Sequence, residues 1–347
     1  MRLRTLRPWL LGLVAVVVLL FVVVLEALLS FRPDAVEDVR VDGRATSTPA
    51  EIERPTLRLM TWNIGYAGLG READFFADGG ESRRPESADV VRTNLVAIRR
   101  QVAQAECDVL LIQEVAAPSF LTRGVDVRGE LVAALIGHAY GFTPTIAVPK
   151  RLGLGGLTVG KMTLSRWPVA EFQRFALPGA KDVLGIQVQH FNMMTARIPG
   201  AAGDPGWLIA NIHLSAFDEG GLRLEQLAAV IARLEQFHAE GLRVIAGGDW
   251  NLRLEPSEFP HTTTEANRFW VRDMPVDILP AGWRWVADPN APTCRTLERP
   301  YREGENYTLI IDGFLVSPDV EVVDVRTVPL GFEHSDHEPV MLEVRGR

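Results

Sequence analysis

Two polar residues directly follow a short apolar run and two glycines in VIAGGDWNL, residues 244–252. The apolar run is typical of a buried strand, and Gly247 and Gly248 let the main chain bend and approach another segment closely. Asp249 and Asn251 then lie at the carboxyl end of that strand, where ligands and catalytic groups collect in α/β proteins. A carboxylate that can accept a proton from water would lie beside an amide that can hydrogen-bond a phosphoryl oxygen. An ordinary strand-end turn fits this motif, taken alone, equally well.

Similar polar side chains follow apolar runs along the rest of the chain. They are Asn63, Glu114, His213, Asp312, Asp336 and His337. This repeated placement indicates that several strands bring carboxylates, amides and imidazoles to one edge of the sheets. An oxygen-rich site of this kind suits Mg²⁺ or Mn²⁺, which bind a few carboxylates together with water and substrate phosphate. Zinc would require a tighter set of His and Cys ligands.

The elements that must position these residues alternate between strands and helices from residue 56 onward. Ser87 is a predicted N-cap for one helix. Gly241 is predicted to end another helix, whose apolar residues form a stripe along one face over residues 224–234. A third helix is predicted near residues 131–135. Strands joined both by hairpins and by helical crossovers imply mixed sheets. The predicted strands cover residues 57–63, 108–113, 161–166, 192–198, 207–213, 244–246, 308–316 and 339–344.

The composition is that of a globular protein. The chain has 347 residues, of which 47% are hydrophobic and 23% charged, so it can bury a sizeable core. Its two cysteines, Cys107 and Cys294, are too few for a disulfide framework, although a single bridge between them stays open. Cys107 begins an apolar run and is predicted to be a buried small hydrophobe.

The charge of the chain is unevenly distributed. Three arginines and one glutamate give residues 1–31 a net charge of +2. The whole chain has a net charge of −8, so the remaining residues carry −10. An acidic domain is a poor generic binder of nucleic acid, because affinity for the phosphate backbone comes mostly from Lys and Arg.

The N-terminal segment is predicted to be a membrane anchor. Residues 10–25 are almost entirely Leu, Val and Ala, and the flanking apolar residues extend the run to about the 20 residues that a bilayer requires. The preceding arginines predict a cytoplasmic N-terminus with the rest of the chain across the membrane. A cleaved signal peptide is the alternative, but the run is long and no Ala-x-Ala site follows it. Residues 1–30 are thus assigned to the cytoplasmic tip and anchor, 31–56 to a linker, and 57–347 to a catalytic domain.

Over residues 57–345 the chain resembles the endonuclease/exonuclease/phosphatase superfamily. It carries the motifs of that family in order: TWNIG, LIQE, LSRWP, NIHLS, GGDWN, IDGFLVS and SDHEPV. The family includes pancreatic-type deoxyribonucleases, abasic-site endonucleases, neutral sphingomyelinases and inositol-polyphosphate phosphatases. The resemblance implies a four-layer α/β sandwich of two mixed sheets flanked by helices, and Mg²⁺- or Mn²⁺-dependent hydrolysis of phosphate esters.

The resemblance also implies a metal site. Glu114 would be the principal ligand, Asn63 would lie beside it, and Asp336 would be a further carboxylate of the metal shell. The sequence departs from the family pattern in the strand that precedes LSRWP, where Lys161 stands among residues that are usually small or aliphatic. A role for Lys161 therefore stays open.

The catalytic roles that the resemblance implies fall on five residues. Asp249 would orient or deprotonate the attacking water, Asn251 would bind the phosphate, and His213 would hydrogen-bond a phosphoryl oxygen. His337 would exchange a proton while Asp312 holds its ring. The family does not settle which group is the base and which the acid.

The predicted substrate is a lipid head group or a small phosphoester outside the cytoplasm. An extracytoplasmic nuclease is the alternative, for which only the pairs at 83–84 and 150–151 offer dense basic charge. A catalytically inactive, membrane-tethered binding domain is the second alternative, and the intact motifs argue against it. The sequence indicates membrane contact through the N-terminal helix and no protein partner.

Overall fold

The structure is a computed structural model that describes residues 6–29, 33–47, 56–148, 156–183, 186–200, 203–217 and 221–346. The helices within these ranges are α1 Leu6–Leu29, α2 Ala88–Gln104, α3 Val127–Ala134 and α4 Gly221–Ala239. The strands are β1 Val36–Val39, β2 Asp42–Gly43, β3 Thr56–Asn63, β4 Val109–Ala116, β5 Ala139–Val148, β6 Leu157–Ser165, β7 Glu171–Ala176, β8 Lys181–Val183, β9 Ile186–Gln189, β10 Asn192–Ile198, β11 Trp207–His213, β12 Arg243–Asp249, β13 Arg284–Val286, β14 Cys294–Arg295, β15 Thr308–Leu309, β16 Asp312–Val316, β17 Val320–Thr327 and β18 Val340–Gly346.

The strands form two large mixed sheets. The first has the order β1-β7-β10-β11-β12-β16-β13, and the second has the order β17-β18-β3-β4-β6-β5-β9-β8, with β2 added beside β5. Each sheet has one parallel pair near its centre, β11 with β12 and β3 with β4. The other pairs are antiparallel, so the prediction of mixed sheets is confirmed.

The sheets pack face to face with helices on their outer faces. Leu59 and Leu111 of the second sheet meet Ile209 and Ile245 of the first in one buried cluster. Because side chains alternate along a strand, the intervening residues of each sheet point outward. Those of the second sheet pack against α2 and α3, and those of the first against α4. The arrangement is the predicted α/β sandwich.

Two helices follow their sequence signals to different degrees. The Ser87 hydroxyl caps α2 by accepting from the Val90 N–H at 3.2 Å, and the predicted apolar stripe of this helix is buried. In α4 the buried face includes Arg223, Gln226 and Leu227, whereas Leu224 of the predicted stripe is 42% exposed. The buried face is therefore rotated relative to the predicted stripe, and it includes the fully buried Arg223.

Residues 36–43 lie in the sheets, although the sequence indicated a linker there. β1 pairs with β7 at the edge of the first sheet, and β2 pairs with β5. The predicted strand at 308–316 is also divided, into β15 and β16. Ile310 and Ile311 lie between these two strands. The Ile310 carbonyl accepts a hydrogen bond from the Leu254 N–H, and the Ile311 carbonyl accepts one from the Trp250 N–H. This stretch therefore bonds to the segment after β12 and does not continue a strand ladder.

The N-terminal apolar run forms α1, which confirms the prediction of a helix. Arg2 and Arg4 lie outside the described residues. Within the described part of the chain, none of the helices was found to combine the length and apolar character needed to span a bilayer. The prediction of a transmembrane anchor is therefore not supported.

Both cysteines are free and buried. Cys107 packs in the cluster beneath α2 and α3, as a small hydrophobe would, and burial raises the pKa of its thiol to about 12. The bridge that the sequence left open is absent between these two described residues.

Candidate active site

The eight polar residues singled out in the sequence converge on one edge of the two sheets. Seven of them line a single cavity of about 270 Å³, and Asp312 lies behind His337. Asn63, His213 and Asp249 end strands, as predicted. Asp312 instead begins β16, and Asp336 and His337 precede β18. Because β16 is antiparallel to β12 and β18 to β3, the starts of these strands lie beside the ends of their partners.

A β-bulge directs Glu114 toward the cavity. The register between β4 and β6 shifts between Ile112 and Val115, and Glu114 has a left-handed φ of 55°. β4 therefore continues through Glu114 to Ala116 instead of ending at Gln113 as predicted. The Asn63 amide donates to Glu114 Oε1 at 3.2 Å and to Asp249 Oδ2 at 3.1 Å, so it links the site edges of the two sheets.

The turn after β12 fixes Asp249 and Asn251. The Asn251 N–H donates to Asp249 Oδ1 at 2.9 Å, and Asn251 adopts a left-handed φ of 51°. The strand does not continue through both residues, yet both side chains line the cavity. The Asn251 amide donates one hydrogen to the Leu214 carbonyl at 3.1 Å, which leaves its second hydrogen for a ligand. Gly248 is required because a Cβ there would lie 2.0 Å from the carbonyl oxygen of Ile212 in β11.

His337 is held as a cation by carboxylates on three sides. Its Nδ1 lies 2.8 Å from Asp312 Oδ2, and its Nε2 lies 3.7 Å from Asp249 Oδ2 and 4.0 Å from Asp336 Oδ2. Burial lowers the pKa of His337, but the charges of Asp312, Asp249 and Asp336 raise it well above its usual value. The ring is therefore suited to donate a proton from Nε2.

His213 is in the opposite state. Its Nε2 lies 3.6 Å from Asp249 Oδ2 and 3.9 Å from Glu114 Oε1. Burial lowers the pKa of His213 to about 4. The charge of Asp249 raises this pKa, whereas the nearby cations of Lys161 and His337 lower it further. At neutral pH this imidazole is uncharged, so it can hydrogen-bond a phosphoryl oxygen without carrying a charge of its own.

The buried carboxylates fit a divalent cation. Burial and repulsion by Asp336 raise the pKa of Glu114 to about 7, and burial raises the pKa of Asp336. The nearby His337 offsets only part of these upward shifts. The carboxylate oxygen atoms, with the Asn63 amide beside them, are the hard donors that Mg²⁺ and Mn²⁺ prefer. Asp336 also lies so close to the turn after β3 that a Cβ on Gly65 would be 2.8 Å from its Oδ1.

A second set of three ligand atoms is also close enough for a metal. Atoms of Asp249, Asp312 and His337 lie within 4.8 Å of one another in the described part of the chain. His337 Nδ1 already bonds Asp312, however, so this set would have to give up the contact that orients the ring. A cation on the side of Glu114 and Asp336 would leave that contact intact.

Three further residues line or support the site, of which the sequence had singled out Lys161 as a departure from the family pattern. Tyr66 lines the cavity beside Glu114 and Asp336, is 4% exposed, and has a hydroxyl without a hydrogen-bond partner among the described residues. Lys161 is fully buried on β6, and its Nζ donates to Thr145 Oγ1 at 3.3 Å. The buried Arg223 of α4 donates to the Asn251 carbonyl and so supports the turn that carries Asp249. Neither an aromatic after TWNIG nor an arginine in a helix could be distinguished from ordinary packing in the sequence.

Comparisons with known proteins identify solved structures of similar fold. No curated protein matches the chain. An endonuclease/exonuclease/phosphatase from Beutenbergia cavernae is 21% identical, with a TM-score of 0.57 over 84% of this chain and 72% of that one. One from Bacteroides vulgatus is 16% identical, with a TM-score of 0.54 over 85% of this chain and 100% of that one. Humanized TDP2 of D. rerio is 17% identical, with a TM-score of 0.52 over 84% of this chain and 100% of that one.

At these identities the solved structures establish a shared fold. A family model matches the segment that runs from the strand that carries Asn63 to His337. The model described as Endonuclease/Exonuclease/phosphatase family matches residues 60–337, and the chain belongs to that family.

Proposed function

We propose that the protein is a divalent-metal-dependent hydrolase that cleaves a compact phosphate ester, as a phosphodiesterase or a phosphatase. The observation that carries this proposal is a pair of histidines, His213 and His337, that both lie within 4 Å of the Asp249 carboxylate in one cavity. Their surroundings shift their pKa values in opposite directions, downward for His213 and upward for His337. Environments that separate the pKa values of neighbouring groups are typical of acid–base catalysis.

In the proposed reaction Asp249 orients a water molecule and accepts its proton as the oxygen attacks phosphorus. The bond from phosphorus to the leaving oxygen breaks in line, and His337 gives that oxygen its Nε2 proton while Asp312 holds the ring. His213 and the free hydrogen of Asn251 donate to the phosphoryl oxygens. A bound Mg²⁺ or Mn²⁺ at Glu114 and Asp336, with Asn63 beside them, would neutralise charge on the phosphoryl group.

The charge of the domain supports a compact substrate over a polynucleotide. Of the two basic pairs, Lys150 and Arg151 lie outside the described residues. Arg83 and Arg84 are exposed, and the Arg83 guanidinium stacks over the Phe76 ring with 5.1 Å to its centroid. A nuclease stays the second candidate because one solved structure of similar fold, D. rerio TDP2 at 16% identity, is described as complexed with single strand DNA product.

The test combines metal removal with three substitutions. We expect Glu114→Gln, Asp249→Asn and His337→Ala each to lower kcat by roughly 10²- to 10⁴-fold, because each removes a group at the cavity while leaving the core unchanged. EDTA should abolish turnover, and Mg²⁺ or Mn²⁺ should restore it. The substrates are a lipid phosphodiester, small phosphodiesters, phosphomonoesters and plasmid DNA.

Asp277→Asn is the matched control, since it makes the same chemical change at an exposed carboxylate away from the cavity. Its turnover should equal that of the wild type. Undiminished turnover in the Asp249→Asn protein would refute the assignment, and so would full activity after exhaustive chelation.

We further propose that the catalytic domain lies outside the cytoplasm. The support is the sequence alone: three arginines followed by a long apolar run, which is typical of an export signal whether it is retained or cleaved. Protease added to intact spheroplasts should digest the domain, and N-terminal sequencing should distinguish a retained segment from a cleaved one. Protection of the domain until the membrane is permeabilised would contradict this location.

A further inference from the structure

The cavity that holds the catalytic residues has an apolar wall. Phe75, Leu121, Ile146 and Val159, which we call the apolar wall, line it and belong to one cluster with Tyr66. Val159 is nearly buried, and the other three are only partly buried by the protein itself. The wall therefore offers hydrocarbon surface within the same cavity as the phosphate-binding groups.

Aromatic rings extend the apolar surface on other elements. Phe191 and Phe217 also line the cavity. Phe217 is 46% exposed and lies over Phe269, which is 48% exposed, with ring centroids 6.2 Å apart. Exposed aromatic side chains next to a catalytic cavity are surfaces that bind apolar groups, because their burial by a ligand is favourable.

The cavity offers little positive charge beyond what one phosphate needs. Among the described residues that line it, the basic side chains are His213, which is uncharged at neutral pH, His337 and Arg295. The two histidines adjoin Asp249. Arg295 is fully buried, and its Nη2 donates to the Gly70 carbonyl at 2.6 Å. Asp78 adds a carboxyl group to the lining, so this part of the cavity offers little net positive charge to a second phosphate.

We propose that the substrate is a phosphoester that carries one phosphate and an apolar alkyl or aryl substituent. Its phosphate lies between His213 and His337, and its substituent packs on the apolar wall. This inference rests on the proposed hydrolase function and specifies the class of substrate. Alkyl chains of a lipid and the ring of a soluble aryl ester share the required chemistry.

The first experiment measures kcat/KM by phosphorus NMR for methyl phosphodiesters whose second substituent is methyl, butyl, hexyl or phenyl. With Mg²⁺ present, we expect a roughly two- to fourfold rise for each added methylene until the wall is covered. Dihexanoyl phosphatidylcholine is the lipid arm, and the phenyl ester is the aryl arm. A higher kcat/KM than that of the methyl ester, for either the lipid or the phenyl ester, supports the proposal and shows which kind of apolar substituent the site prefers. Equal values of kcat/KM for all of the esters would overturn it.

Two variants test whether the apolar wall is responsible. Ile146→Asn and Leu121→Asn should flatten the dependence on chain length while leaving kcat/KM for the methyl ester within about twofold. Turnover of the methyl ester also shows that each variant is folded. Ile136→Asn is the matched control, because Ile136 is 90% exposed and does not line the cavity. An unchanged dependence in both wall variants would contradict the role of this wall.

A binding measurement separates this inference from the hydrolase function. If no ester is turned over, the hydrolase function fails, but calorimetry can still compare hexyl phosphate with methyl phosphate. We expect hexyl phosphate to bind at least tenfold more tightly to the wild type, and this advantage to be lost in Ile146→Asn. Equal affinities would overturn the apolar substrate class even for an active enzyme.

Discussion

At the scale of single residues, the site shifts the pKa values of two imidazoles in opposite directions, although both have the same intrinsic chemistry. His213 is surrounded by buried groups that include the cation of Lys161, whereas His337 adjoins three carboxylates. Either histidine alone would titrate near neutrality and would change its role with small changes in pH. The opposed environments let one act as an uncharged hydrogen-bond donor and the other as a proton donor at the same pH.

Lys161 gives the clearest pH prediction. Burial, together with the charge of Arg174, lowers the pKa of Lys161 to about 7. Between pH 7 and 10.5 the unfolded chain therefore binds a proton that the folded chain does not, so the free energy of unfolding rises with pH in this window. We expect Lys161→Met to be more stable than the wild type by about 3 to 5 kcal/mol at pH 7, with the difference shrinking toward pH 10.

Urea unfolding at several pH values measures this difference. Arg128→Met is a suitable control because Arg128 lies on α3, where its guanidinium packs over the Phe142 ring and is not the buried cation of the site. A stability difference between Lys161→Met and the wild type that stays constant from pH 7 to 10 would show that Lys161 does not titrate there. Lys161→Met should also move the pKa of His213 upward, since one of the cations that lower it is removed.

At the scale of elements, the sequence predicted the strands and their apolar faces better than it predicted how they end. The runs at 192–198 and 207–213 match β10 and β11, because largely apolar runs bounded by turn residues are typical of strands that are buried on both faces. The bulge at Glu114 could not be foreseen, since it depends on the register between β4 and β6, which are distant in sequence. The short strands β1 and β2 were missed because their pairing with β7 and β5 is likewise non-local.

The site residues were found for a partly mistaken reason. Polar residues after apolar runs were expected to meet because each was placed at the end of a strand. This holds for Asn63, His213 and Asp249, but Asp312 begins a strand that is antiparallel to its neighbour β12. Antiparallel pairing brings beginnings and ends to one edge, so the inference reached the right edge by a different topology. The roles of Tyr66 and Arg223 depend on three-dimensional contacts that no local pattern records.

At the scale of the whole molecule, charge sets which substrates can approach. Outside residues 1–31 the chain carries a net charge of −10. At low ionic strength the Debye length is about 30 Å, so a long polyanion is repelled by the domain as a whole, whereas at 0.15 M it is about 8 Å and only nearby charges act. A small ester that bears one negative charge experiences far less of this repulsion.

The last prediction uses salt to distinguish a nuclease from a hydrolase of compact esters. With Mg²⁺ held constant, we expect nicking of plasmid DNA to be slow at 10 mM NaCl and to rise severalfold toward 150 mM, as screening weakens the repulsion. Turnover of a small phosphodiester should change by less than about twofold over the same range, and this serves as the control for direct effects of salt on the site. A nuclease with a basic DNA-binding surface behaves in the opposite way, because binding to phosphates releases counterions and weakens steeply with salt. Efficient nicking at 10 mM that falls tenfold or more by 150 mM would show that a local basic surface overrides the net charge. That outcome would make nucleic acid the favoured substrate.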